Sequence, residues 1–131
     1  SHFSPKFTFT APDELKMPHE YKVFLDKKGI PYKETAELSE GIADTDILYM
    51  TRVQQERFTD IMEYEKVKNC YSLTAGMLEN ARKNMKILHP LPRINEIAQD
   101  VDDTPHAYYF KQAENGVYVR MAIIAYLLGY K

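Results

Sequence analysis

Met85-Lys86-Ile87-Leu88-His89-Pro90-Leu91-Pro92-Arg93 sets the reading of this chain. A short apolar run ends in a loop with two prolines and an arginine directly behind them. Each proline fixes its own φ and biases the preceding residue toward extended geometry. Carbonyl groups in so stiff a loop can be held pointing into a cleft, which suits small-ligand recognition better than simple chain reversal. Upstream, Ile47-Leu48-Tyr49-Met50-Thr51-Arg52-Val53-Gln54 follows the same plan, an apolar strand and then a cation and an amide.

Strands and helices alternate around these two segments. Phe7 to Thr10 is aromatic and β-branched and reads as a strand. Ile30 to Thr35, Ile47 to Met50, Cys70 to Leu73 and Met85 to Leu88 read as four more. The unbroken apolar run at Ile47 predicts a strand buried on both faces. Pro18 to Lys28 carries Tyr21, Phe24 and Leu25 at helical spacing, with Gly29 placed just past its end. Leu38 and Ile42 mark a brief helix. Thr74 is placed to cap another through Arg82, with Met77, Leu78 and Ala81 on one side. Val53 to Lys68 reads as a mobile loop with one or two helical turns, and Glu96 to Asp103 as irregular. A final helix is expected from about Asn115 to Gly129. The alternation predicts an α/β fold, a doubly wound, Rossmann-like parallel sheet.

A chain of 131 residues is expected to form a single domain, 1–131. Its 44% hydrophobic and 27% charged residues are ordinary globular values. A net charge of -2 gives no electrostatic case for nucleic acid or an anionic membrane. No apolar run approaches the roughly 20 residues of a membrane span, and no signal peptide opens the sequence. The single Cys70 excludes an internal disulfide, fits a reducing compartment such as the cytoplasm, and reads as a core thiol. His2, His19 and His106 are scattered without the spacing of a zinc site, and no phosphate-binding glycine motif occurs.

In an open parallel sheet, ligands sit outside the carboxyl ends of the strands. Arg52 follows the third expected strand and His89-Pro90-Leu91-Pro92 follows the fifth, so both fall on that edge. Arg52 offers a planar fork matched to a carboxylate, and Gln54 lies two residues on, on the same side.

These segments, together with Thr104-Pro105-His106-Ala107-Tyr108-Tyr109-Phe110 and Gln112-Ala113-Glu114-Asn115-Gly116, resemble the carboxyl-terminal part of aspartate carbamoyltransferase catalytic chains. The likeness runs from about Phe7 to Gly129. It is specific to the aspartate branch, because ornithine-specific relatives carry a cysteine after the loop histidine. The resemblance implies that Arg52 and Gln54 bind the carboxylate side of aspartate. It implies that Leu91 and Pro92 hold the amino groups of the reacting carbamoyl unit through backbone carbonyls. Glu56 and Arg57 resemble a pair that locks domain closure, and Glu63 and Tyr64 the acid and tyrosine of a mobile loop. His89 takes a structural place. The implied reaction is attack of the aspartate amine on carbamoyl phosphate, and it needs neither metal nor organic cofactor. Gln55 and Asn95 depart from the family pattern, which more often has lysine and aspartate there.

The same likeness implies absences. The family's phosphate-binding Ser-Thr-Arg-Thr-Arg loop lies on an amino-terminal domain that this sequence does not contain. A first strand and helix of the aspartate domain, with another substrate arginine, also precede the similar region. The fold is therefore expected to be incomplete relative to the family's aspartate domain, and the chain alone inactive. The expected last helix, with Val117, Val119, Met121, Ile123, Ile124, Tyr126, Leu127 and Leu128, is apolar nearly all round. It is expected to pack on the missing domain or to expose a large apolar patch. A homotrimeric parent, with regulatory chains in some members, is implied by analogy. The competing reading is a non-catalytic binding or interaction module that keeps the fold.

Overall fold

A computed structural model describes residues 4–53, 58–68 and 70–130. Its elements run β1 (Phe7–Thr10), α1 (His19–Lys27), β2 (Tyr32–Thr35), α2 (Ser39–Ile42), β3 (Ile47–Tyr49), α3 (Ile61–Val67), β4 (Lys86–Leu88) and α4 (Tyr109–Leu127). Short 3-10 turns lie at Asp13–Leu15, Ala75–Leu78 and Gln99–Val101.

Every ladder is parallel, as the alternation predicts. β1 pairs with β2 across α1, from Phe7 opposite Tyr32 to Thr10 opposite Thr35. β3 pairs with β4, from Ile47 opposite Lys86 to Tyr49 opposite Leu88. Isolated bridges add Leu73 to Ile97 and Ile87 to Ala107. The α/β class holds, while the expected sheet divides, among the described residues, into two two-stranded ladders and these bridges. α1 ends as expected. Gly29 adopts φ +63, a left-handed angle at which a side chain would be strained.

The core gathers around β3 and β4. Leu38, Ile42, Met50, Leu73, Leu78, Met85, Ile87, Ile97, Val101 and Tyr109 form one buried cluster. Ile87 is fully buried between β3 and the Ala107 bridge.

Several local expectations give way to tertiary contacts. Cys70 to Leu73 forms no strand, because within it only Leu73 makes a β-bridge, its N–H donating to the Glu96 carbonyl at 3.0 Å. Cys70 is exposed rather than a core thiol. The helix expected from Thr74 is only the turn Ala75–Leu78, and Thr74 makes no capping bond. Asp100 takes that role, accepting from the Ala75 N–H at 3.2 Å. β3 is covered on one face alone, where Leu48 is half-buried against the core, with Ile47 and Tyr49 exposed. α4 starts at Tyr109, six residues before the expected Asn115. No side chain caps it, and its first turn is fixed instead by the burial of Tyr109. Beyond that turn the apolar face is bare: Val117, Met121, Ile124, Leu127 and Leu128 are each more than half exposed.

Candidate functional site

The parallel register of β3 and β4 decides where the site residues stand. The Met50 N–H donates to the Leu88 carbonyl at 2.9 Å, so both strands finish at the same edge. Arg52 and Leu91 each follow three residues beyond the paired Tyr49 and Leu88. Arg52 is exposed on this rim, Leu91 is half-buried and Pro92 exposed. Gln54, Glu56 and Arg57 lie outside the described residues. Glu63 and Tyr64 lie on α3, where Asp60 caps the helix by accepting from the Met62 N–H at 2.8 Å. The Tyr64 ring packs 5.7 Å from that of Phe58, and Glu63 is exposed.

The proline loop is built differently from its expected extended form. Leu91 takes φ +50, in the left-handed region that a branched side chain disfavours, and the Leu91–Pro92 peptide is cis. His89 turns back beneath it. The Leu91 N–H donates to His89 Nδ1 at 2.8 Å, so that nitrogen carries no proton. Nε2 therefore bears the proton, and it meets Glu96 Oε1 at 2.8 Å. The other Glu96 oxygen accepts from the N–H groups of Ile94 at 3.1 Å and Asn95 at 3.0 Å. Burial pushes the Glu96 carboxyl upward, but these N–H donors and His89 outweigh it and leave the pKa below its ordinary value. The His89 N–H donates to Gln112 Oε1 at 2.9 Å, which ties the loop to α4. Gln112 Nε2 in turn reaches the Tyr49 hydroxyl at 3.5 Å.

A second brace follows the prolines. Arg93 makes a two-pronged pair with Asp102, both contacts 2.5 Å, and donates to the Tyr109 hydroxyl at 3.0 Å. Its guanidinium lies 5.3 Å from the Tyr109 ring centre and 5.9 Å from that of Phe110. The Tyr109 hydroxyl donates to Asp102. Burial, with the neighbouring Asp102 carboxylate, pushes the Tyr109 pKa up to about 12.

Arg52, Leu91 and Pro92, expected from the sequence, follow the paired strands on one rim, while Glu96, Asp102 and Gln112, which hold the loop, were not expected. Nothing local marks them, since each works across a fold contact. A cavity of about 280 Å3 lies elsewhere, lined by Pro12, Glu37, Cys70 and Tyr71 among others, and its lining has no cation. The open rim after β3 and β4 is the better candidate. It carries the exposed Arg52 and the braced backbone of Leu91 and Pro92, groups chemically matched to a ligand with both a carboxylate and N–H donors. Among the described residues, no group of three or more histidine, cysteine or acidic residues could hold a metal. No helix among them is long and apolar enough to cross a membrane.

Comparison with known proteins converges on one family. Residues 1–127 match the description "Aspartate/ornithine carbamoyltransferase, Asp/Orn binding domain". The aspartate carbamoyltransferase catalytic subunit of Bacteroides fragilis is 63% identical over 129 residues, covering 98% of this chain and 42% of its own length. The catalytic subunit of M. jannaschii aspartate transcarbamoylase superposes with a TM-score of 0.82 at 44% identity, over 95% of this chain and 40% of that one. Aspartate transcarbamoylase from Trypanosoma cruzi, solved in complex with carbamoyl phosphate and aspartate, gives a TM-score of 0.82 at 35% identity, over 93% and 41%. This chain thus spans about two-fifths of the length of the relatives it matches.

Proposed function

The chain belongs to the aspartate/ornithine carbamoyltransferase family, and from that premise we propose that it is the aspartate-binding part of an aspartate carbamoyltransferase. The observation that carries this reading is the register of β3 and β4, which brings Arg52 and the His-Pro-Leu-Pro loop to one edge. The aspartate branch is favoured because Pro90 stands where ornithine-specific relatives carry cysteine.

In this reading Arg52, with Gln54, fixes a carboxylate of L-aspartate. The carbonyls of Leu91 and Pro92 accept from the amino group of the carbamoyl unit. The aspartate amine nitrogen then attacks the carbamoyl carbon, the bond from that carbon to the phosphate oxygen breaks, and the amine loses a proton. The products are N-carbamoyl-L-aspartate and phosphate, a step of pyrimidine biosynthesis. Rate comes from holding the two reactants together and from donors aimed at the tetrahedral charge. Glu56, Arg57, Glu63 and Tyr64 serve closure of the domains around the substrates.

The chain supplies one wall of such a site. Carbamoyl phosphate is held chiefly by an amino-terminal domain, on which the bare face of α4 packs. Val117, Met121 and Ile124, each exposed by more than half, support this, since water rarely meets so large an apolar face on a monomer. The assembled enzyme is cytoplasmic and trimeric, with regulatory chains as further partners.

The test is a chimera in which this chain replaces the matching stretch of the Bacteroides fragilis catalytic subunit. Carbamoylaspartate should form from the chimera, be absent with the lone chain, and drop by about a hundredfold or more on Arg52→Ala. Turnover by the lone chain would overturn the half-site reading. A folded, assembled but inactive chimera would favour the interaction-module reading.

A further inference from the structure

We infer that His89 and Glu96 are positioning residues that aim the Leu91 and Pro92 carbonyls, with the Glu96 carboxylate fixing which nitrogen of His89 is protonated. The inference rests on the carbamoyl-binding role proposed above for those carbonyls. A leucine at φ +50 is disfavoured relative to an ordinary backbone angle, so the loop needs something to hold it. The bond from the Leu91 N–H to His89 Nδ1 is placed to do so, because it closes the chain over two residues directly before the left-handed turn.

That bond exists only while Nδ1 is bare. A proton on Nδ1 would set donor against donor, and Leu91 would lose its partner. Glu96 removes the alternative by taking the Nε2 proton at 2.8 Å, while its second oxygen is occupied by two backbone N–H groups of the same loop. The imidazole is 2% exposed and both of its nitrogens are committed. It therefore has no nitrogen left for a substrate proton, which separates positioning from acid–base catalysis. Gln112 completes the hold by accepting the His89 N–H from α4.

Two measurements test this. In the lone chain labelled with 15N-histidine, long-range N–H correlation should show His89 protonated at Nε2 and bare at Nδ1. A proton on Nδ1 would overturn the inference, and this readout survives even if a variant fails to fold. In the chimera, His89→Leu and Glu96→Gln should lower kcat by about tenfold or more, with the aspartate KM within about twofold of wild type. His89→Asn should keep most of the activity, because an asparagine oxygen accepts the N–H two residues on in the same manner. A packing role for His89 gives the reverse order, since leucine fills the imidazole space and asparagine leaves a void. Leucine outperforming asparagine, or Glu96→Gln matching wild type, would overturn the inference. An inactive wild-type chimera would count against the transferase reading instead, and the nitrogen readout would then decide the hold on its own.

Discussion

The two parallel strand pairs of this molecule differ in a way that their hydrogen bonding does not foretell. β1 and β2 share the longer ladder, four residues on each side, yet no residue of either strand is buried. Their contacts lie at the surface, such as the Phe9 and Tyr32 rings across the pair, 6.1 Å apart, and the Lys22–Glu34 ion pair that ties α1 to β2 at 3.0 Å. β3 and β4 share only three residues on each side, but Ile87 is fully buried at the centre of the core. What surrounds a strand decides its stability more than the length of its ladder does. The proposed site stands on the rim of the buried pair, where the strand register and the hydrogen bonds of His89 fix the loop that follows β4.

Truncation gives the widest separation between the two pairs. Ile87→Ala should cost about 2–5 kcal/mol in urea unfolding, the range for emptying a packed core position. Phe9→Ala should cost clearly less, and equal costs would break the contrast. Next come the ion pairs. Asp102→Asn should cost about 1.5–3 kcal/mol because it weakens a largely covered, two-pronged arginine contact. Asp46→Asn, whose Arg82 pairing is well exposed, should cost clearly less than Asp102→Asn.

Hydrogen exchange sharpens the comparison without mutation. The N–H groups of Met50 and Ile87, bonded to Leu88 and His106, should exchange at least about tenfold more slowly than those of β1 and β2. A further effect appears in alkali. Tyr109 has its pKa raised to about 12 in the fold, against an ordinary value of 10.0. Its contribution is therefore complete below about pH 10 and is lost as pH rises through about 12. Tyr109→Phe should flatten the alkaline fall in stability over that window, and an unchanged slope would remove the buried phenol from the account. Glu96 runs the opposite way. Its lowered pKa adds stability above the ordinary carboxylate value, which is lost as pH falls through the folded value.

The sequence was legible where structure is set locally. Gly29 ended a helix as its freedom at positive φ requires, and the apolar runs before Arg52 and His89 became paired strands. The parallel class followed from the alternation alone. It was illegible where distant residues decide. Nothing near Thr74 announces that Asp100 supplies the cap, and nothing near Asn115 says that a buried Tyr109 starts α4 earlier. The apolar run at Ile47 suggested two covered faces, but burial depends on a layer that the run itself cannot encode. At the site, Arg52 and the proline loop were visible as motifs. The pairing of His89 with Glu96, seven residues later, appears only once the loop has closed.

The most direct test is calorimetric titration of the chimera with a bisubstrate analogue that joins a phosphonate to aspartate. One aspartate pocket shared by Arg52 and the proline loop requires tight binding by the parent chimera, and a loss of about a hundredfold or more with Arg52→Ala. Equal binding by the parent and by Arg52→Ala would contradict it.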